Sequence, residues 1–138
     1  MSMLRIISTA ILAVFFVFGN ASFAKDKDPK MISVEMPAMY TGEGGYLSCT
    51  ILNRTGRSLD NVEIQFHEYD EVEQMWEIED SPFIGSLANG YFHRDNDYID
   101  YNSAYCRFRY LGFDNDNVSL SMCFLNKYDS TPVTCFSN

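Results

Sequence analysis

Apolar and polar residues alternate with a period of two along most of this chain. Between Tyr46 and Asn53, Leu47, Cys49 and Ile51 share one face, the spacing of a strand buried on one side. Between Leu59 and Tyr69, Val62, Ile64 and Phe66 point one way and Glu63, Gln65 and His67 the other, as on an antiparallel sheet with one solvated face. From Tyr101 to Tyr110, Cys106, Phe108 and Tyr110 point inward and Arg107 and Arg109 outward. Val118 to Leu125 repeats the pattern with Val118, Leu120, Met122 and Phe124 inside. Met31 to Met36 reads as an edge strand stopped by Pro37. Val72 to Ile78 reads as the neighbour of the Leu59 strand, with Val72, Gln74, Trp76 and Ile78 on one face. Its Glu, Gln and Met residues also suit a helix, and the alternation favours the strand. Phe83 to Leu87 and Val133 to Phe136 are two further short strands.

Turn chemistry separates these runs. Thr41 to Gly45, Asn53 to Ser58, Ala88 to Gly90 and Lys127 to Pro132 are rich in Gly, Asn, Asp, Ser and Pro, the residues that turns favour. Gly112 to Asn117 reads as a hairpin turn, and His93 to Asp97 as a polar loop. Seven or eight short strands at this spacing predict an all-β fold, an antiparallel immunoglobulin-like β-sandwich over residues 31–138.

The N-terminus follows a different rule. Ile6 to Phe18 is apolar apart from Ser8 and Thr9, with Arg5 before it. This run falls short of the roughly 20 residues that span a bilayer and fits a signal peptide. Ser22-Phe23-Ala24 supplies small residues at a cleavage site, so residues 1–24 are expected to be removed and 25–30 to form a flexible leader. The expected compartment is extracellular or periplasmic, with no membrane insertion after cleavage. Four cysteines, Cys49, Cys106, Cys123 and Cys135, follow the cut. An even number in an exported chain implies disulfides, with three pairings open. Their wide spacing does not suit zinc, which favours close ligand pairs. Cys49 and Cys106 fall on the apolar faces of their strands, so a bridge between them would cross the core. Cys123 and Cys135 meet if the last two strands form a hairpin near Asp129, with Leu125 opposite Val133. Cys106–Cys123 is the competing bridge.

The runs LSCTILNRTGRSLDNVEIQ (47–65), AYCRFRY (104–110) and VSLSMCF (118–124) resemble small exported bacterial β-sandwich proteins of unassigned function. At fold level the chain resembles immunoglobulin and fibronectin-like sandwiches. It departs from true immunoglobulin domains at two positions: Trp76 lies far downstream of Cys49, and Ala104 stands where the tyrosine corner would be. The resemblance implies a fold and brings no active site.

Charge then narrows the partners. The chain carries a formal net charge of −9, and loss of the signal peptide, residues 1–24, removes Arg5 and no acid. This disfavours nucleic acid, whose binders show a basic footprint, and permits a basic protein partner or a cation. Glu68 to Asp80 holds seven acids and no base. Glu68, Asp70, Glu71, Glu73 and Glu77 would form a docking face for a cationic partner, with Trp76 as anchor; the plainer reading is a solvated strand guarded against edge pairing. Asp95, Asp97 and Asp100, or Asp114 and Asp116, are candidate calcium ligands, although such residues are also ordinary turn formers. His67 and His93, the only histidines, read as surface residues, and no nucleophile elbow is present. Tyr91, Tyr98 and Tyr101 would let the domain stack on sugar rings, against the plainer reading of packing aromatics. Asn53-Arg-Thr55 and Asn117-Val-Ser119 match a glycosylation sequon. The expected function is a non-catalytic binding or structural module for a protein partner, or alternatively a carbohydrate-binding module; a small hydrolase is the remote third reading.

Overall fold

Leu47, Cys49 and Ile51 are fully buried, and the strand that carries them lies at the centre of one sheet. A computed structural model describes residues 28–138 apart from Tyr101. The expected signal peptide and its cut after Ala24 lie outside the described residues; of the expected leader only residues 28–30 are described, with Lys30 already the first residue of a strand. Ten strands follow in order: β1 Lys30–Glu35, β2 Met39–Tyr40, β3 Gly45–Asn53, β4 Leu59–Asp70, β5 Met75–Asp80, β6 Phe83–Leu87, β7 Phe92–Ile99, β8 Ser103–Gly112, β9 Val118–Asn126 and β10 Pro132–Ser137. They form two antiparallel sheets. The first runs β1-β8-β4-β5, with β2 also on β8 and β6 also on β4; the second runs β10-β9-β3-β7. The all-β reading therefore stands, with more strands than the seven or eight expected.

The core lies between the sheets. Val62, Ile64, Phe66, Cys106 and Phe108 from the first face Leu47, Cys49, Ile51, Leu120 and Met122 from the second. The Cys49–Cys106 disulfide joins β3 to β8 across this core, with Cα atoms 6.5 Å apart. Cys123–Cys135 joins directly opposed residues of β9 and β10, with Cα atoms 4.1 Å apart. Both expected bridges are present. The last hairpin keeps the expected register at Cys123 and Cys135 and departs from it by one residue at the turn end: Leu125 faces Pro132, and Val133 sits in an irregularity between Pro132 and Thr134. Gly45 lets β9 approach β3 closely, since a Cβ there would lie 2.7 Å from the Phe124 ring.

Three sequence readings are corrected. Gly112 to Asn117 is not a hairpin turn, because β8 and β9 belong to different sheets. The segment is an arch over the end of the sandwich. Asp116 fixes it by accepting the Phe113 N–H at 2.8 Å and holding Arg57 through two bonds of 2.8 and 2.6 Å. His93 to Asp97 is not a loop but part of β7, an edge strand paired with β3 from Gly45↔Ile99 to Leu52↔Phe92. Val72 and Gln74 do not extend the next strand: Glu71 to Gln74 form the turn between β4 and β5. Asp70 Oδ1 closes that turn by accepting the N–H groups of Val72 (2.9 Å) and Glu73 (3.1 Å), an Asx-type turn. Gln74 takes the left-handed conformation at φ 56°.

Candidate functional site

The acidic segment occupies the β4–β5 hairpin, and the pleat divides its residues between two faces. Tyr69 pairs with Trp76 and His67 with Ile78, so these side chains rise from the outer face. There His67 stacks on Tyr105 with centroids 4.7 Å apart. Trp76 meets the edge of Tyr105 at 4.8 Å and of Tyr69 at 5.4 Å. Four rings thus form one patch. Trp76 remains 40% exposed at its margin, next to the exposed Ile78. His67, expected on the surface, is only 5% exposed. It does lie on the outer face, but the Tyr105 ring covers it and its Nε2 sits 3.2 Å from Gln65 Oε1. Burial, then the charge of Arg107, pushes its pKa below the usual histidine value, against the opposing pull of Glu35.

The acids take other positions. Glu71 and Glu73 stand exposed at the hairpin tip. Glu68 pairs with Ala104 on one side and Glu77 on the other, on the side of the sheet that faces inward. It is 8% exposed and accepts a 3.1 Å bond from Asn102 Nδ2. Packing therefore leaves little of Glu68 exposed, and what remains faces the concavity rather than the Trp76 patch. Glu68, Asp70, Glu77, Glu79, Asp100, Tyr69 and Asn102 line a concavity of about 240 Å³. Burial, then the neighbouring Glu68, Glu77, Asp97 and Asp100, raises the pKa of Glu79.

The candidate calcium residues do not form one loop. Asp95 and Asp97 lie on strand β7, opposite Cys49 and Leu47, and face the interior. Asp95 Oδ2 lies 2.8 Å from His93 Nε2. Asp97 Oδ2 is buried with no hydrogen-bond partner among the described residues, and burial followed by the charges of Asp80 and Glu68 raises the Asp97 pKa. Asp100 stands apart in the acidic concavity. In the arch, Asp114 pairs with Lys30 at 2.8 Å and Asp116 with Arg57. Among the described residues no group of three or more Asp, Glu, His or Cys has a metal-holding arrangement. Asn53, the first sequon residue, is fully buried. Its side chain donates to the carbonyls of Arg57 (2.7 Å) and Leu87 (2.8 Å) and accepts from Thr55.

Of the aromatic trio, Tyr91 and Tyr98 do not share one platform. Tyr91 precedes β7 and Tyr98 stands near its far end, about 3.4 Å per residue along an extended strand; Tyr101 lies outside the described residues. Tyr98 instead meets Tyr46 edge-to-face at 5.4 Å.

One surface was not recognised in the sequence. The outer face of the second sheet is ordered in rows across β7, β3 and β9. Tyr98, Tyr46 and Leu125 form one row. Asn96, Ser48 and Cys123 form the next, then Arg94, Thr50 and Ser121, then Phe92, Leu52 and Ser119. The middle rows floor a trough of about 290 Å³, walled by Leu125, Ser130 and Pro132. The alternation of Ser48 and Thr50 with buried residues was visible; which strands lay beside them was not.

Neither a family model, nor a curated protein, nor a solved structure matches this chain.

Proposed function

We propose that this chain is an exported, non-catalytic binding module that holds a basic protein partner on the β4–β5 hairpin. One observation carries the reading: the half-exposed Trp76, braced by Tyr105 and Tyr69, stands within a run of carboxylates. Between Arg57 and Arg94 the sequence has no Lys or Arg, so no local cation answers those charges from within the segment. A rigid aromatic anchor beside the acidic hairpin tip of Glu71 and Glu73 suits a protein interface. Its acids would speed encounter with a basic surface. The two disulfides suit an oxidising compartment, which supports export to the cell exterior or periplasm.

Trp76 is the only tryptophan, so its fluorescence reports the site directly. A Lys- and Arg-rich peptide is expected to shift that fluorescence saturably. Affinity should fall as salt rises, because the Debye length shrinks from about 10 Å at 0.1 M to about 3 Å at 1 M. Replacing Glu73 and Glu77 by Lys should chiefly slow association. Trp76→Ala, followed by isothermal calorimetry, should weaken binding more than either charge change. Binding that ignores salt, the Lys substitutions and Trp76→Ala would refute the proposal.

A further inference from the structure

Acids outnumber bases by 19 to 10 in this sequence, yet the outward positions of β7, β3 and β9 carry no carboxylate. Their single charged residue is Arg94. Its Nε donates to Thr50 Oγ1 at 2.9 Å, and its guanidinium lies 5.7 Å from the centre of the Phe92 ring. No carboxylate pairs with it among the described residues. The side chain is therefore held in place with its terminal donors open to the trough. Beside it, Ser48 is 7% exposed and lines the trough floor, and its hydroxyl has no hydrogen-bond partner among the described residues. The hydroxyl itself opens into the trough, where a ligand can reach it. The Asn96 amide is likewise without a side-chain partner among the described residues.

We propose that this trough binds a short acidic oligosaccharide. The chemistry is specific. Hydroxyl and amide groups both donate and accept, matching the alternating hydrogen-bond character of a polyol. The Arg94 fork recognises a carboxylate through paired N–H bonds. The row of Tyr46 and Tyr98 at the end of the trough offers apolar surface to the C–H face of a sugar ring, as aromatic side chains with a polar tip do. A volume of about 290 Å³ sits at the lower end of small-molecule sites, about 300–1,000 Å³, so the trough takes a segment of a glycan rather than a long chain. The trough lies on the face of the sheet, so a peptide added as a strand at the free edge of β7 would lie beside it rather than in it. This site lies on the sheet opposite Trp76 and does not rest on the protein-partner reading.

The test titrates the disulfide-intact protein with a uronic-acid tetrasaccharide and with its neutral counterpart of the same linkage, read by calorimetry and by amide chemical shifts. The uronate should bind saturably, with shifts centred on Ser48, Thr50 and Asn96. The neutral sugar should bind at least tenfold more weakly. Arg94→Gln should lower uronate affinity at least tenfold, and Ser48→Val, which fills the floor, should do the same with both disulfides and the far-ultraviolet spectrum unchanged. Trp76→Ala should leave the titration unaltered. Absence of uronate binding, equal binding of the neutral sugar, or indifference to Arg94→Gln would overturn the proposal. So would tighter binding of a Glu-rich peptide at the same residues.

Discussion

Asp97 stands directly opposite Leu47 in the β3–β7 ladder, so a carboxylate and a fully buried leucine leave the sheet on the same face. The carboxylate meets Asp80 and Glu68 from the other sheet rather than a cation. Its folded pKa is therefore above its unfolded value. The stabilisation this brings is complete in acid and is lost as pH rises through the folded pKa. Asp97→Asn removes the charge and should raise stability at pH 7 by about 1 kcal/mol, the scale of an unpaired buried group. Urea unfolding at pH 7 and pH 3 checks this; the gain should vanish at the lower pH, where Asp97 is protonated.

His67 acts in the opposite direction. Its folded pKa lies below the unfolded value because burial and Arg107 disfavour the imidazolium, with Glu35 opposing them. The native state therefore binds fewer protons, and stability present above about pH 6.5 falls as pH drops toward the folded pKa. His67→Gln should flatten the pH dependence between pH 7 and 5. It should also cost about 1 kcal/mol at pH 7 through loss of the ring stacked on Tyr105. Thermal unfolding across that range measures both effects.

Asp116 is the anchor of the arch between the sheets. Its bonds to Arg57 hold its pKa below the usual carboxylate value, helped by the Phe113 N–H and opposed by burial. The resulting stabilisation is present above the unfolded pKa and disappears as pH falls through the folded one. Asp116→Asn should cost about 2 kcal/mol at pH 7, the scale of charge-assisted hydrogen bonds. Chemical unfolding of both proteins at pH 7 and pH 2 should show the gap closing in acid.

The two disulfides differ in exposure and in the loop each closes. Cys49 and Cys106 are fully buried, whereas Cys135 is exposed on the edge strand β10. A mild dithiol should open Cys123–Cys135 first, and alkylation followed by peptide mapping should label that pair alone. Sequence separations of 57 and 12 residues correspond to about 4 and about 3 kcal/mol in the chain-entropy picture. Removing Cys49–Cys106 by paired Ala substitution should therefore be the more destabilising change.

The sequence by itself determined an all-β fold, the buried faces of its apolar strands and a preferred pairing of the cysteines. Period-two alternation is a local property, and it placed Leu47, Cys49 and Ile51 inward as surely as Cys106 and Phe108. It was silent in β7, where His93, Asp95 and Asp97 turn polar side chains to the interior and erase the apolar signal. Trp76 was legible as an aromatic among acids; the trough around Ser48 and Arg94 was not. Only the tertiary structure decided that β8 and β9 part into different sheets, that Tyr105 covers His67, and that Asn96, Ser48 and Cys123 stand in one row. The physical reason is that strand neighbours are chosen by burial and hydrogen bonding between segments distant in the chain. A residue's own alternation fixes its face, but the strand beside it fixes what that face becomes.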